Sequence, residues 1–400
     1  MSFFSGWDFF VTLTVALIPA VVLGIKSKSL RFYRMFLTCV FIYLAYFDSP
    51  KEMIFLIGYA ILSLYVIKLY LFLREKYGRN KYIYGHAVLM VLLPLLLSKT
   101  EVYLGHSVFG FWSGTFGFLG LSYIFFRVVQ IIIEIYDGVI KEVDGYRFLT
   151  FLLFFPAISS GPIDRSRRFF ADDEKIYSKE EYSQLLSKGV VKIMMGLVYK
   201  LPISGTFLYI MDTYMSNKFD PFHIVGYAYT YGFYMFFDFA GYSLMVVGTS
   251  YILGIKMPDN FNMPFISVDM KDFWNRWHIT LSHWFRDFVF TRFIIDSARK
   301  KRFSGRLTAA SAGLIINMTL MGIWHGLEAH FILYGFYHGL LLSITEVYQK
   351  KSKFYKAHKD SRGYKFCSWF ITLNLVMFGF LIFSGQCKTM GIGLLNYIGA

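Results

Sequence analysis

The twenty residues Thr308 to Leu327, TAASAGLIINMTLMGIWHGL, contain no Asp, Glu, Lys or Arg. A helix needs about 20 mostly apolar residues to cross a bilayer core. The run also holds His325 among apolar neighbours, with Gly322 and Gly326 four residues apart. An ionisable group inside an apolar span is costly, so His325 is a functional candidate by default. The glycine pair lets another backbone approach closely and leaves room beside the imidazole for a substrate.

Runs of this kind recur along all 400 residues. Spans are expected at 8–25, 31–47, 53–73, 82–98, 108–136, 189–212, 223–253, 308–327, 331–347 and 366–386, and shorter elements bring the count to ten or eleven. Charged residues are 17% of the chain and mean hydropathy is +0.47. Soluble domains carry about 25% charged residues, so this chain has too little polar surface to face water all round. That excludes a soluble enzyme, a nucleic-acid-binding module and a disordered chain. The run Phe148 to Ser160 contains Pro156 and leads into Ser159-Ser-Gly-Pro162. It is too short to cross and reads as a re-entrant or broken helix, which only protein or water can surround. The expected architecture is all-α and polytopic. One membrane-embedded domain covers 1–400, with peripheral helices in 1–140, a catalytic core in 141–347, and a loop and last helix in 348–400.

The net charge of +15 sits in short clusters between the runs: Lys26 to Arg34, Arg74 to Lys81, Arg299 to Arg306 and Lys350 to Lys356. Such clusters mark cytoplasmic loops. The first two are separated by two crossings, which puts the N-terminus outside. Anionic membrane lipid and an acidic soluble partner both suit this face. The run Phe9 to Ile25 lacks a basic region ahead of it and reads as a membrane helix rather than a leader. Cys39, Cys367 and Cys387 show no CxxC spacing, so neither a disulfide framework nor a zinc site is expected.

Asp238 lies near the middle of a long apolar run and must be protonated, paired or wet. A structural ion pair and a part in substrate handling both meet that need. The segment Asp272 to Asp287, DFWNRWHITLSHWFRD, is the densest mixture of aromatic and polar residues. Read as one helix, it sets Trp274, His278, Leu281 and Phe285 on a single face. His325, His330 and His338 lack the spacing of helical metal ligands, so no metal is expected. No GxSxG elbow, P-loop or GxGxxG occurs, which points to a histidine base acting on a bound hydroxyl.

Four segments occur in a telling order: FFPAISSGPIDRSRRF at 154–169, FDFAGYS at 237–243, FWNRWHITLS at 273–282 and GIWHG at 322–326. In these motifs the chain resembles the membrane-bound O-acyltransferases over nearly its whole length, and within them the branch that D-alanylates teichoic acids. The resemblance implies a ring of helices around a thinned centre, with an outer funnel and a narrow cytoplasmic tunnel. It implies catalytic roles for His325 and His278, and tunnel or positioning roles for Asp238, Ser243, Trp274, Asn275, Gly322 and Trp324. It also implies a Gram-positive type of plasma membrane and a D-alanyl thioester donor. The thioester would sit on the phosphopantetheine arm of an acidic carrier protein, with no cofactor bound by the chain itself. The acceptor would be teichoic acid outside, directly or through a membrane-protein intermediate.

The stretch from Trp284 to Ser297 suits carrier docking through Phe288, Arg292, Ile294 and Ile295, with Arg299 and Lys300 beyond; an ordinary interfacial helix has the same amphipathic character. Two other functions fit parts of the pattern. An O-acetyltransferase of an exported polysaccharide would share the motifs but not the carrier. A proton-coupled transporter could use His278, His325 and Asp238 as a relay, although no inverted repeat with matching broken helices is present.

Overall fold

The computed structural model describes residues 3–4, 6–104, 120–216 and 218–399; the first part of the span expected at 108–136 lies outside them. Among the described residues all regular structure is helical. Six helical stretches among the described residues are long and apolar enough to cross a membrane: Gly6–Ile25, Pro50–Tyr77, Lys81–Leu104, Lys179–Met215, Arg306–His325 and Arg362–Phe383. Each falls on an expected span. The chain divides into two compact units, Met1–Gly196 with Tyr242–Pro258, and Leu197–Gly241 with Asp259–Ala400.

The first unit holds α1 (Gly6–Ile25), α2 (Arg31–Tyr46), α3 (Pro50–Tyr77), α4 (Lys81–Leu104), α5 (Leu121–Tyr136), α6 (Gly145–Leu153), α7 (Ser166–Glu174) and nearly all of α8 (Lys179–Val198). Helix α1 shows the two-faced pattern of a helix at the edge of a membrane bundle. Phe9, Leu13, Leu17 and Ala20 are buried, while Trp7, Val11, Val15, Ile18 and Val22 are exposed. Helix α5 is buried on nearly every side, and two of the polar residues it buries find partners within the unit: Arg127 donates to three carbonyls and Glu134 accepts from the Ser166 hydroxyl at 3.2 Å.

The break expected after Phe148 is present. Helix α6 ends at Leu153 and a single 3₁₀ turn, Phe155–Ala157, follows through Pro156. Carbonyls freed at such a break need donors. The buried guanidinium of Arg127 on α5 donates to the carbonyls of Phe151, Leu152 and Ala157 at 2.9, 2.9 and 2.7 Å.

The second unit contains α9 (Ser204–Ile210), most of α10 (Pro221–Ile252), α11 (Met270–Arg276), α12 (Ile279–Phe285), α13 (Thr291–Arg299), α14 (Arg306–His325), α15 (Ala329–Lys351), α16 (Lys353–His358), α17 (Arg362–Phe383) and α18 (Cys387–Gly399). Wider π-helical turns at Tyr199–Ile203, Met211–Met215 and Arg286–Phe290 join several of these. Helices α14 and α15 form a tight hairpin. A Cβ on Gly322 would lie 3.1 Å from the Cα of Gly335, and one on Gly335 would lie 3.0 Å from the Cα of Gly322. Small residues at this crossing bring the two backbones together. Helix α18 has no counterpart among the expected spans.

Candidate active site

The candidate chemistry lies in the second unit. His325 is the last residue of α14 and is half-buried. Its ring lies 4.7 Å from that of Trp324, 5.1 Å from Phe383 and 6.2 Å from Phe331.

His278 is held differently from the helical face read from sequence. Helix α11 stops at Arg276 and α12 starts at Ile279, so His278 stands in the break between them, with φ 42° and ψ 53°. This left-handed conformation costs of order 1–3 kcal/mol for a residue with a side chain, and persists only where the surroundings impose it. Here the segment from Asn260 to Asn262 does so. Ile279 N–H donates to the Asn260 carbonyl at 2.8 Å, and Asn262 N–H donates to the Arg276 carbonyl at 3.0 Å. The Thr280 hydroxyl donates to Asn260 Oδ1. The His278 ring is 3% exposed, packed edge-on to Phe239 at 4.9 Å. Burial chiefly, and the nearby His325 in addition, push the His278 imidazole below its ordinary range.

A cavity of about 380 Å³ lies between α11, α12 and the π turn on one side and α14 and α15 on the other. Trp274, Asn275 and Arg286 line it, with Ala310, Leu314, Asn317, Met318 and Met321 of α14. Those α14 positions are about one turn apart and form one face, and His325 follows Met321 by four residues on it. A polar cluster lies at the end away from His325. The Asp269 carboxylate caps α11 and accepts from Gln349 Nε2 at 2.9 Å. Lys271 donates to Gln349 Oε1 at 2.8 Å and pairs with Glu346.

A sequence model of the MBOAT, membrane-bound O-acyltransferase family, matches residues 42–387, a stretch that includes both histidines and the whole cavity wall. The chain belongs to the membrane-bound O-acyltransferase family. It is therefore an acyltransferase and, with six membrane-length apolar helices among the described residues, a multi-pass membrane protein. It is 41% identical over 395 residues to the teichoic acid D-alanyltransferase of Bacillus subtilis, covering 96% of this chain and 98% of that one. Against the Streptococcus thermophilus protein of the same name it is 39% identical over 396 residues, covering 94% and 93%. It is also 28% identical over 272 residues to the probable alginate O-acetylase AlgI of Pseudomonas aeruginosa, with 67% and 49% covered.

Other expected site residues of this acyltransferase fall in varied places. Trp274 and Asn275 stand in the cavity wall, and Trp324 lies beside the His325 ring. Gly322 faces the α15 backbone, so it sets the position of the helix that carries His325. Asp238 is paired with Lys200. Ser243 is buried in the first unit. On the stretch expected to dock a partner, Phe288 packs against Trp284 at 5.2 Å and Arg292 and Ile294 are half-buried. Ile295, Arg299 and Lys300 are exposed. Lys300 Nζ pairs with Asp296 at 3.0 Å, and Arg302 pairs with the same carboxylate at 2.6 Å. The Lys300 hydrogen bond chiefly, with Arg302 adding to it, holds the Asp296 carboxyl below its ordinary range.

Sequence reasoning missed Lys200, Asn317 and the polar cluster. Lys200 carried the same signal as Asp238, a charge inside an apolar run, and the two could have been matched on that ground. Gln349 and Asp269 are 80 residues apart, and nothing local in the sequence links them.

Proposed function

We propose that this acyltransferase moves D-alanine from a thioester donor to an alcohol acceptor for the D-alanylation of teichoic acid. The near full-length similarity to two teichoic acid D-alanyltransferases supports this over acetylation, since the alginate O-acetylase covers only two thirds of the chain. The donor in this reading is D-alanine on the phosphopantetheine arm of an acidic carrier protein at the cytoplasmic face. The carrier would dock on the exposed part of α13, around Ile295, Arg299 and Lys300. The helices would form a ring of ten or eleven crossings around a thinned centre within the core 141–347. The N-terminus would lie outside, in a Gram-positive type of plasma membrane.

One observation carries the proposal. His325 lies 19 residues along α14 from Arg306, about 28 Å at 1.5 Å per residue, nearly the full depth of a ~30 Å bilayer core. A donor from the basic end cannot reach it through intact lipid. The cavity follows α14 from Ala310 to Met321 and ends one turn short of His325, with apolar walls and Arg286 among its polar groups. A thin, flexible arm with a phosphate at its base matches that shape and charge.

In the reaction, His325 accepts the proton of the acceptor hydroxyl as its oxygen attacks the thioester carbonyl carbon. The carbon–sulfur bond breaks, an ester forms, and the sulfur leaves as a thiol once protonated. General-base help of this kind is worth roughly 10²–10⁴-fold. His278, held neutral by burial and by its proximity to His325, orients the acceptor or polarises the carbonyl.

Reconstitution of the purified protein in vesicles tests the donor. D-Alanyl carrier protein should yield acylated teichoic acid, and an acetyl donor should not. Transfer from the acetyl donor alone would overturn the reading.

A further inference from the structure

The D-alanyl donor differs from an acetyl donor in one feature that a protein must answer: a positively charged amino group on the carbon next to the reacting carbonyl. A half-buried cation of this kind calls for a carboxylate close to the catalytic base. Most carboxylates on or beside the site already have cations. Asp238 pairs with Lys200, Glu346 with Lys271, Asp272 with Arg276 and Asp287 with Arg286.

Glu328 differs from these. It follows His325 by three residues, across the turn from α14 to α15. It occupies the N-cap position of α15, yet its side chain makes no capping hydrogen bond. Among the described residues no Lys, Arg or His is paired with it. The residue is half-buried, so the carboxylate is neither sealed in nor fully in solvent. Its Oε2 lies against Gly326, in the place where a side chain on that residue would begin, and the Phe331 ring shares that place. Phe331 in turn lies 6.2 Å from the His325 ring at an interplanar angle of 27°. Gly326 and Phe331 thus lie next to the carboxylate, and Phe331 also lies beside the imidazole.

We infer that Glu328 forms a subsite for the α-ammonium group of the transferred aminoacyl unit, which makes it a specificity residue. The inference rests on the D-alanyl reading proposed above. The carboxylate holds the charged amino group beside His325 and so fixes which way the carbonyl presents itself to the acceptor.

The test compares carrier protein loaded with D-alanyl-phosphopantetheine and the same carrier loaded with propionyl-phosphopantetheine, which has a similar shape but lacks the ammonium. Wild-type protein should prefer the D-alanyl donor. Glu328→Gln should lower the ratio of D-alanyl to propionyl transfer by roughly 10- to 100-fold, the range for one hydrogen bond to a charged group. Glu328→Asp, which keeps the charge, should retain part of the preference. Because the readout is a ratio within one preparation, differences in the amount of folded protein cancel. An unchanged ratio in Glu328→Gln overturns the subsite alone. Failure of the wild-type protein to transfer D-alanine overturns the donor reading, and the subsite falls with it.

Discussion

Gly322→Ala adds one methyl group to α14, three residues before His325. The new Cβ would lie 3.1 Å from the Gly335 Cα and 3.2 Å from its nitrogen, and closer still to the Phe331 carbonyl oxygen. Ordinary contacts of this type are 3.4–4 Å; the Gly335 Cα alone asks for 0.3 Å, the difference between 3.4 and 3.1 Å, and the closer Phe331 carbonyl oxygen sets a larger separation of α14 from α15. None of the opposing Gly335 and Phe331 atoms belongs to a flexible side chain, so the helices themselves must move. Overpacking of this kind costs about 1–3 kcal/mol. A 1 Å displacement of a catalytic group can cost ~10²-fold in rate. Transfer should therefore fall roughly tenfold or more, with the protein still inserted and still binding carrier. Gly335→Ala builds the same clash from the other helix and should behave alike. Gly205→Ala, with nothing within 4 Å of the added carbon, should keep full transfer. Acyl transfer per mole of folded protein in vesicles measures all three. Wild-type activity in Gly322→Ala would refute the claim that this contact positions His325.

Three further outcomes follow from the same geometry. Arg127→Met strips three buried carbonyls of their donor and should destabilise the protein by at least ~3 kcal/mol, read from thermal unfolding in detergent. Lys200→Ala leaves Asp238 without its cation and should be less stable than the double variant Lys200→Ala with Asp238→Ala, because an unpaired charge costs more than a missing pair; equal stabilities would contradict the pairing. Ile295→Asp places a negative charge on an exposed apolar position of α13, and should weaken binding of an acidic carrier at least tenfold in a pull-down titration.

The parts of the fold legible in the sequence were those decided by local composition. The charge-free run at 308–327 became α14 with a shift of two residues, because hydropathy along a single helix needs no distant partner. The break near Pro156 was legible for a similar reason, since proline and the Ser-Ser-Gly-Pro sequence cannot continue a helix. The cation that satisfies the break, Arg127, was not, because the contact spans 24 to 30 residues.

His278 shows the opposite case. Asn275-Arg-Trp-His-Ile279 carries no glycine or proline to mark a left-handed residue, and its apolar spacing fits a continuous helix. Hydrogen bonds accepted by Asn260 and donated by the Asn262 N–H impose the break instead. The conspicuous histidines were readable as a pair of unusual groups. Their nearness to each other, and that of Glu328 to Gly326, depend on tertiary packing.

The claim on which the account depends is that the His325 imidazole is the base for acyl transfer. The direct measurement is single-turnover transfer from charged carrier by His325→Ala, purified and reconstituted beside the wild-type protein. The account predicts a loss of at least ~10²-fold with carrier binding intact. Transfer within a few-fold of wild type would contradict it.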